Sequence, residues 1–153
     1  VGEKLPAGAG EDSVNMLPAL LGNEKVICTP HLGASTAESE ENCAVMAVKQ
    51  VRNYLEYGVV ANSVNFPAIE AFPQASTRTR LVVINRDVPQ MIAGITQVLG
   101  KAGLNIQSFT NESNSKIGYN IIDLDQELPP GLEKELSTIE NVIRVRVLRF
   151  PAN

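Results

Sequence analysis

The strongest constraint on the fold of this chain is the way its hydrophobic period switches along residues 80–150. A period of two marks a strand, and a period near 3.6 marks an amphipathic helix. "RLVVI" at 80–84 is a short β-branched run that predicts a strand. Pro89 follows, a residue suited to a first helical turn because its missing N–H is not needed there. Ile92, Ile95, Leu99 and Ala102 then make one apolar stripe, and Gly103 stands where the helix can end. "LNIQSF" (104–109) predicts a second strand, the polar "NESNSKIG" a hairpin turn, and "YNIIDLD" (119–125) a third strand. Leu128, Leu132, Leu136 and Ile139 stand at i, i+4, i+8 and i+11 and predict a second helix, with Pro129 and Pro130 near its start. "NVIRVRVLRF" (141–150) closes as a strand, with Ile143, Val145 and Val147 facing one way and Arg144 and Arg146 the other. The expected class is α+β, and the order is the ferredoxin-like β-α-β-β-α-β.

Upstream, Val26–Thr29 reads as a short strand-like stretch ending in Pro30 and His31, the chain's one histidine. Ser35 and Glu38 form S-x-x-E, a capping box. Ala44, Val48, Val51 and Leu55 behind it predict a helix over 36–57, with Gly58 to stop it. Glu38, Glu40 and Glu41 match the positive end of its dipole. An apolar face of that kind requires a partner, either the rest of the chain, a second chain or further domains. Residues 62–79, with two prolines, few large aliphatics and a polar end, read as a linker. The expected organisation is an N-terminal region over 1–61, the linker over 62–79 and the folded module over 80–150.

Composition narrows the function classes. A net charge of −4 argues against a nucleic-acid surface, which needs clustered Lys and Arg. An RNA-recognition module shares the topology but stacks bases on central-strand aromatics, and "RLVVI" has none. A soft-metal module needs a Cys pair in its first loop, and no Cys follows Cys43. Cys28 and Cys43 lack metal-type spacing and read as reduced thiols, with no metal expected. No apolar run reaches the ~18 residues of a membrane span, and no signal peptide is recognisable, so a cytoplasmic location is expected. Gly8 and Gly10 do not make a dinucleotide loop, because Ser13 stands at the third glycine's place and no strand precedes them.

The loop and helix "INRDVPQMIAGITQVLGKAGLNI" resemble the ACT domain, a small-molecule sensor attached to amino-acid biosynthetic enzymes. Pro89 and Gly103-Leu104-Asn105-Ile106 match that family's pattern, while Gln90 replaces its usual glycine. The segment "CTPHLGASTAESEENCAVMAVKQVRNYLEYG", followed by "NSVNFP", resembles the end of the catalytic unit of the D-3-phosphoglycerate dehydrogenase family, which precedes an ACT domain in the same order. The resemblance implies a C-terminal fragment. It implies that His31 is the general acid–base of the intact enzyme, where hydride passes to NAD, and that His31, Gly33 and Ala34 lie near the nicotinamide. No complete NAD site is recognisable in the sequence, and the family's catalytic Arg and Glu precede the motif, so the chain alone is expected to be inactive. The resemblance further implies an effector site for L-serine or a similar amino acid between two ACT domains of a homo-oligomer. Its positions fall on Asn85, in place of a histidine, Asp87, in place of an asparagine, and Asn105, which matches. Helix N-terminal amides suit the ligand's carboxylate. The alternative is a structural dimerisation module without a working site.

Overall fold

A computed structural model describes residues 22–27, 33 and 35–151. The chain divides between Cys43 and Ala44, and the second unit carries the sheet and both clusters of buried apolar side chains. The elements of the described residues are α1 (Ala37–Tyr57), β1 (Thr79–Arg86), α2 (Met91–Lys101), β2 (Ile106–Ser113), β3 (Ile117–Leu124), α3 (Leu132–Ser137) and β4 (Val142–Arg149). The four strands form one antiparallel sheet in the order β2-β3-β1-β4. This is the ferredoxin-like βαββαβ arrangement expected from the sequence. β1 lies in the middle, and seven of its eight residues are buried.

One face of the sheet carries an aliphatic core. Leu81 and Val83 of β1, Ile122 and Leu124 of β3 and Val145 of β4 pack against Ile95 and Leu99 of α2 and Leu132 and Leu136 of α3. The stripe of α2 is Met91, Ile95 and Leu99, whereas Ile92 is 47% exposed and Ala102 is the exposed C-cap. The expected stripe was therefore one position off at its start. α3 is only six residues long. Pro129 and Pro130 precede its αL N-cap, Gly131, so Leu128 and Ile139 reach the core from outside the helix.

The other face is covered by irregular chain. Val60 and Ile69 form an isolated antiparallel bridge and pack with Val82, Ile84, Tyr119 and Ile121. Tyr54 and Phe66 border this cluster. The segment read as a linker is thus partly structured, and Pro67, Ile69, Thr77 and Thr79 within it are buried.

Directional polar bonds hold this strap. Arg80, fully buried, donates to both carboxylate oxygens of Asp123, from Nε at 2.6 Å and from Nη2 at 2.7 Å. Its Nη1 donates to the carbonyls of Tyr57 (2.8 Å) and Ala71 (2.6 Å), so one guanidinium joins β1, β3, the end of α1 and the strap. Ser108 donates to Asp123 as well, at 3.0 Å. The Tyr119 hydroxyl donates to the Gly58 carbonyl at 2.8 Å. Burial raises the Tyr119 phenol pKa, neighbouring Tyr54 adds to the rise, and Arg146 and Arg80 oppose it.

Gly58 ends α1 as expected. Its N–H meets the Tyr54 carbonyl at 3.0 Å, its φ is +70°, and a Cβ there would lie 2.5 Å from Val82 Cγ2. Arg146 finishes the helix end, with its guanidinium 4.6 Å from the centre of the Tyr54 ring and hydrogen bonds to the Tyr54 and Leu55 carbonyls. A cation at a helix C-terminus matches its partial negative charge.

Two further expectations need correction, at the cap of α1 and in β4. Thr36, not Ser35, caps α1: its Oγ1 accepts the Ser39 N–H at 3.1 Å and donates to the Ser39 hydroxyl. The apolar face of α1 is exposed, with Val48 at 69%, and no residue of the helix is buried. Ile143 does not share the face of Val145. The pairing steps from Ile84↔Arg144 to Asn85↔Val142, a bulge that leaves Ile143 outward and sends Val142 to the core.

Candidate functional site

β1 leads into α2 through Asp87-Val88-Pro89-Gln90, and this turn shapes the site. Pro89 lies outside the helix rather than in its first turn. Gln90 is the N-cap with φ +70° and ψ 3°, the geometry of the third position of a type II turn, where glycine is preferred. A side chain in that region is strained by about 1–3 kcal/mol. Gln90 makes no side-chain cap bond, so the first amides of α2 are free of a capping oxygen. Gln90, which stands where the resembled loop usually has a glycine, carries this strain.

A cleft of about 500 Å³ lies at this point. Its wall is the turn and first residues of α2, and Asn85, Asp87, Asn111 and Gly118 complete it. Asn85 is 3% exposed, and a Cβ on Gly118 would lie 2.8 Å from its Nδ2. Gly118 therefore gives Asn85 the space to lie flat on the sheet. Asp87 is exposed and accepts a hydrogen bond from the Ser113 hydroxyl. The arrangement offers an anion-favouring helix start beside a carboxylate, the two ends of an α-amino acid in complementary form.

The structure brings two of the three expected effector residues together. Asn85 and Asp87 share the cleft, while Asn105 is exposed in the turn after α2. α2 has 11 residues. At 1.5 Å per residue that is about 16 Å, so Asn105 stands a helix length away within one chain. His31 and Ala34 lie outside the described residues. Gly33 is exposed, with nothing within 4 Å of a Cβ placed on it.

Asn111, Asn120, Ser113 and Gly118 were not singled out from the sequence. A signal was present for Asn120, a polar residue in the apolar run "GYNII". A dinucleotide does not fit the described residues. Neither strand-to-helix connection, 87–90 nor 125–131, carries the paired glycines that let a pyrophosphate approach a helix start. Among the described residues, no group of three His, Cys, Asp or Glu could hold a metal ion, and no helix is long and apolar enough to cross a membrane.

No protein-family model matches this chain. The D-3-phosphoglycerate dehydrogenase of Haemophilus influenzae is 32% identical over 143 residues, covering 94% of this chain and 34% of that protein. The enzyme of the same name from Dictyostelium discoideum is 32% identical over 122 residues, covering 80% and 29%. That from Escherichia coli is 28% identical over 127 residues, covering 82% and 30%. The chain spans about a third of the length of these relatives. Among solved structures, the ACT domain of the GTP pyrophosphokinase of Chlorobium tepidum is 20% identical, covering 47% of this chain and 97% of that one at a TM-score of 0.40. The fold assignment rests on the strand order and pairing of this chain itself. Over nearly its whole length the chain is related to the D-3-phosphoglycerate dehydrogenases, of which it matches about a third, as fits the C-terminal fragment expected from its motifs.

Proposed function

We propose that this chain is the regulatory C-terminal portion of a cytoplasmic D-3-phosphoglycerate dehydrogenase, and that its ACT domain senses L-serine or a similar amino acid between two copies of the chain. The cleft at the start of α2 carries this reading, because an uncapped helix start, Asp87 and the buried Asn85 line it together. The ligand's carboxylate would meet the α2 amides and its ammonium would meet Asp87. Asn105 would reach the ligand from the second copy, since a helix length separates it from the cleft of its own chain. In the intact enzyme, His31 would be the general acid–base, with Gly33 and Ala34 near the nicotinamide. An imidazole with an unperturbed pKa near 6.5 suits proton transfer at neutral pH. NAD would be held by the intact enzyme, and the chain alone is expected not to reduce it.

Calorimetric titration of L-serine into the unaltered chain and into Asn105→Ala tests the reading. Saturable binding at one or two ligands per dimer, lost in the variant, is expected. A structural dimerisation module is the second reading. It is favoured by the fact that Asp87 and Asn85 already have partners in Ser113 and Asn120. No heat and no thermal stabilisation at millimolar serine would select it.

A further inference from the structure

The helix-covered face of the sheet is mainly apolar until it reaches the cleft, where three asparagines take over on adjacent strands. Asn111 Nδ2 donates to Asn120 Oδ1 at 2.8 Å. Asn120 Nδ2 donates to Asn85 Oδ1 at 2.6 Å and to the Val83 carbonyl at 2.9 Å. Asn85 Nδ2 donates to the Arg86 carbonyl at 2.6 Å. A carboxamide has two N–H donors and one oxygen with two lone pairs. Asn120 is fully buried and has both donors engaged, so it has none to offer a ligand. Its bonds instead fix which edges of Asn85 and Asn111 face the cleft that both of them line. Asn111 keeps its carbonyl oxygen and one N–H, and Asn85 keeps one N–H. A buried amide is costly unless its bonds are made, so at Asn85 and Asn120 stability alone favours apolar side chains.

We propose that this relay sets ligand specificity: Asn111 and Asn85 contact the side chain of a bound α-amino acid, Asn120 is their positioning residue, and the ligand belongs to the small amino acids bearing a side-chain hydroxyl or carboxamide. Either group presents a donor and an acceptor together, which complements what Asn111 has left. An apolar side chain in the same place leaves those groups desolvated and unpaired, the situation that gives polar sites their selectivity. The inference deepens the amino-acid-sensing reading and rests on it.

The test compares L-serine, L-asparagine and L-alanine by calorimetry on the full chain, on Asn111→Leu and on the double variant Asn111→Leu with Asn120→Val. The unaltered chain should prefer serine or asparagine to alanine by about tenfold or more. Both variants should lose that preference, with the ratio falling close to one while alanine still binds. Asn111→Leu changes an exposed residue and keeps the test valid if the double variant fails to fold. Binding with an unchanged ratio, or a preference for alanine in the unaltered chain, overturns the inference and leaves amino-acid sensing standing. Failure of every amino acid to bind the unaltered chain overturns both.

Discussion

The two faces of the sheet are covered by different means. On one, α2 and α3 bury aliphatic side chains, and regular secondary structure satisfies the covering backbone. On the other, much of the cover is strap with a single isolated bridge, so its carbonyls need partners from elsewhere. Arg80 reaches the Ala71 carbonyl and Tyr119 that of Gly58, while Arg80 and Arg146 also bond the Tyr57, Tyr54 and Leu55 carbonyls at the end of α1, from which this chain departs. A helix can be held by non-directional burial alone. Irregular chain over a sheet is held where buried donors meet its carbonyls, because an unpaired buried carbonyl is expensive.

Breaking this comparison begins with Arg80→Ala, the largest expected effect. It strands the Asp123 carboxylate and unlatches two carbonyls, and chemical denaturation should show a loss of about 3–5 kcal/mol. Amide exchange should rise first at Val60 and Ile69, while the α2 amides stay protected. On the opposite face, Leu99→Ala should cost about 2–5 kcal/mol through lost burial and a cavity, with no selective exposure of the strap. Tyr119→Phe leaves the Gly58 carbonyl without its donor and should cost about 1–3 kcal/mol.

The same tyrosine gives the comparison a pH signature. Its folded-state pKa is raised, so the folded state favours the protonated phenol. The associated stability is fully present below about pH 10, the usual value for a free phenol, and is lost as pH rises beyond it. Denaturation midpoints measured from pH 8 upward should fall more steeply in the unaltered chain than in Tyr119→Phe. The smallest effect belongs to the turn. Gln90→Gly removes a side chain from a φ of +70° and should stabilise the chain by about 1 kcal/mol, read as a small rise in the melting temperature.

Much of the helix-covered face was legible in the sequence, since periodicity reports on burial against a neighbouring layer. Leu99, Leu132 and Leu136 follow from it directly. The strap was not, because Phe66, Pro67 and Ile69 have no period and the prolines read as punctuation. Arg80 sat inside "RLVVI" without any local sign that it was buried; only its register opposite Asp123 explains it. Ile143 was misassigned because a bulge shifts the alternation without changing composition. The site was half legible. Asn85 and Asp87 came from a resemblance and do share the cleft, but Asn111 and Asn120 needed the pairing of β2 with β3 to be placed beside them.

The most direct test of amino-acid sensing at this cleft is the two-dimensional amide NMR spectrum of the chain titrated with L-serine. The account predicts saturable shifts concentrated at residues 85–93, 111 and 118, with Asn105 joining them through the second copy. Shifts confined to the strap at 58–72, or none at millimolar serine, would contradict it.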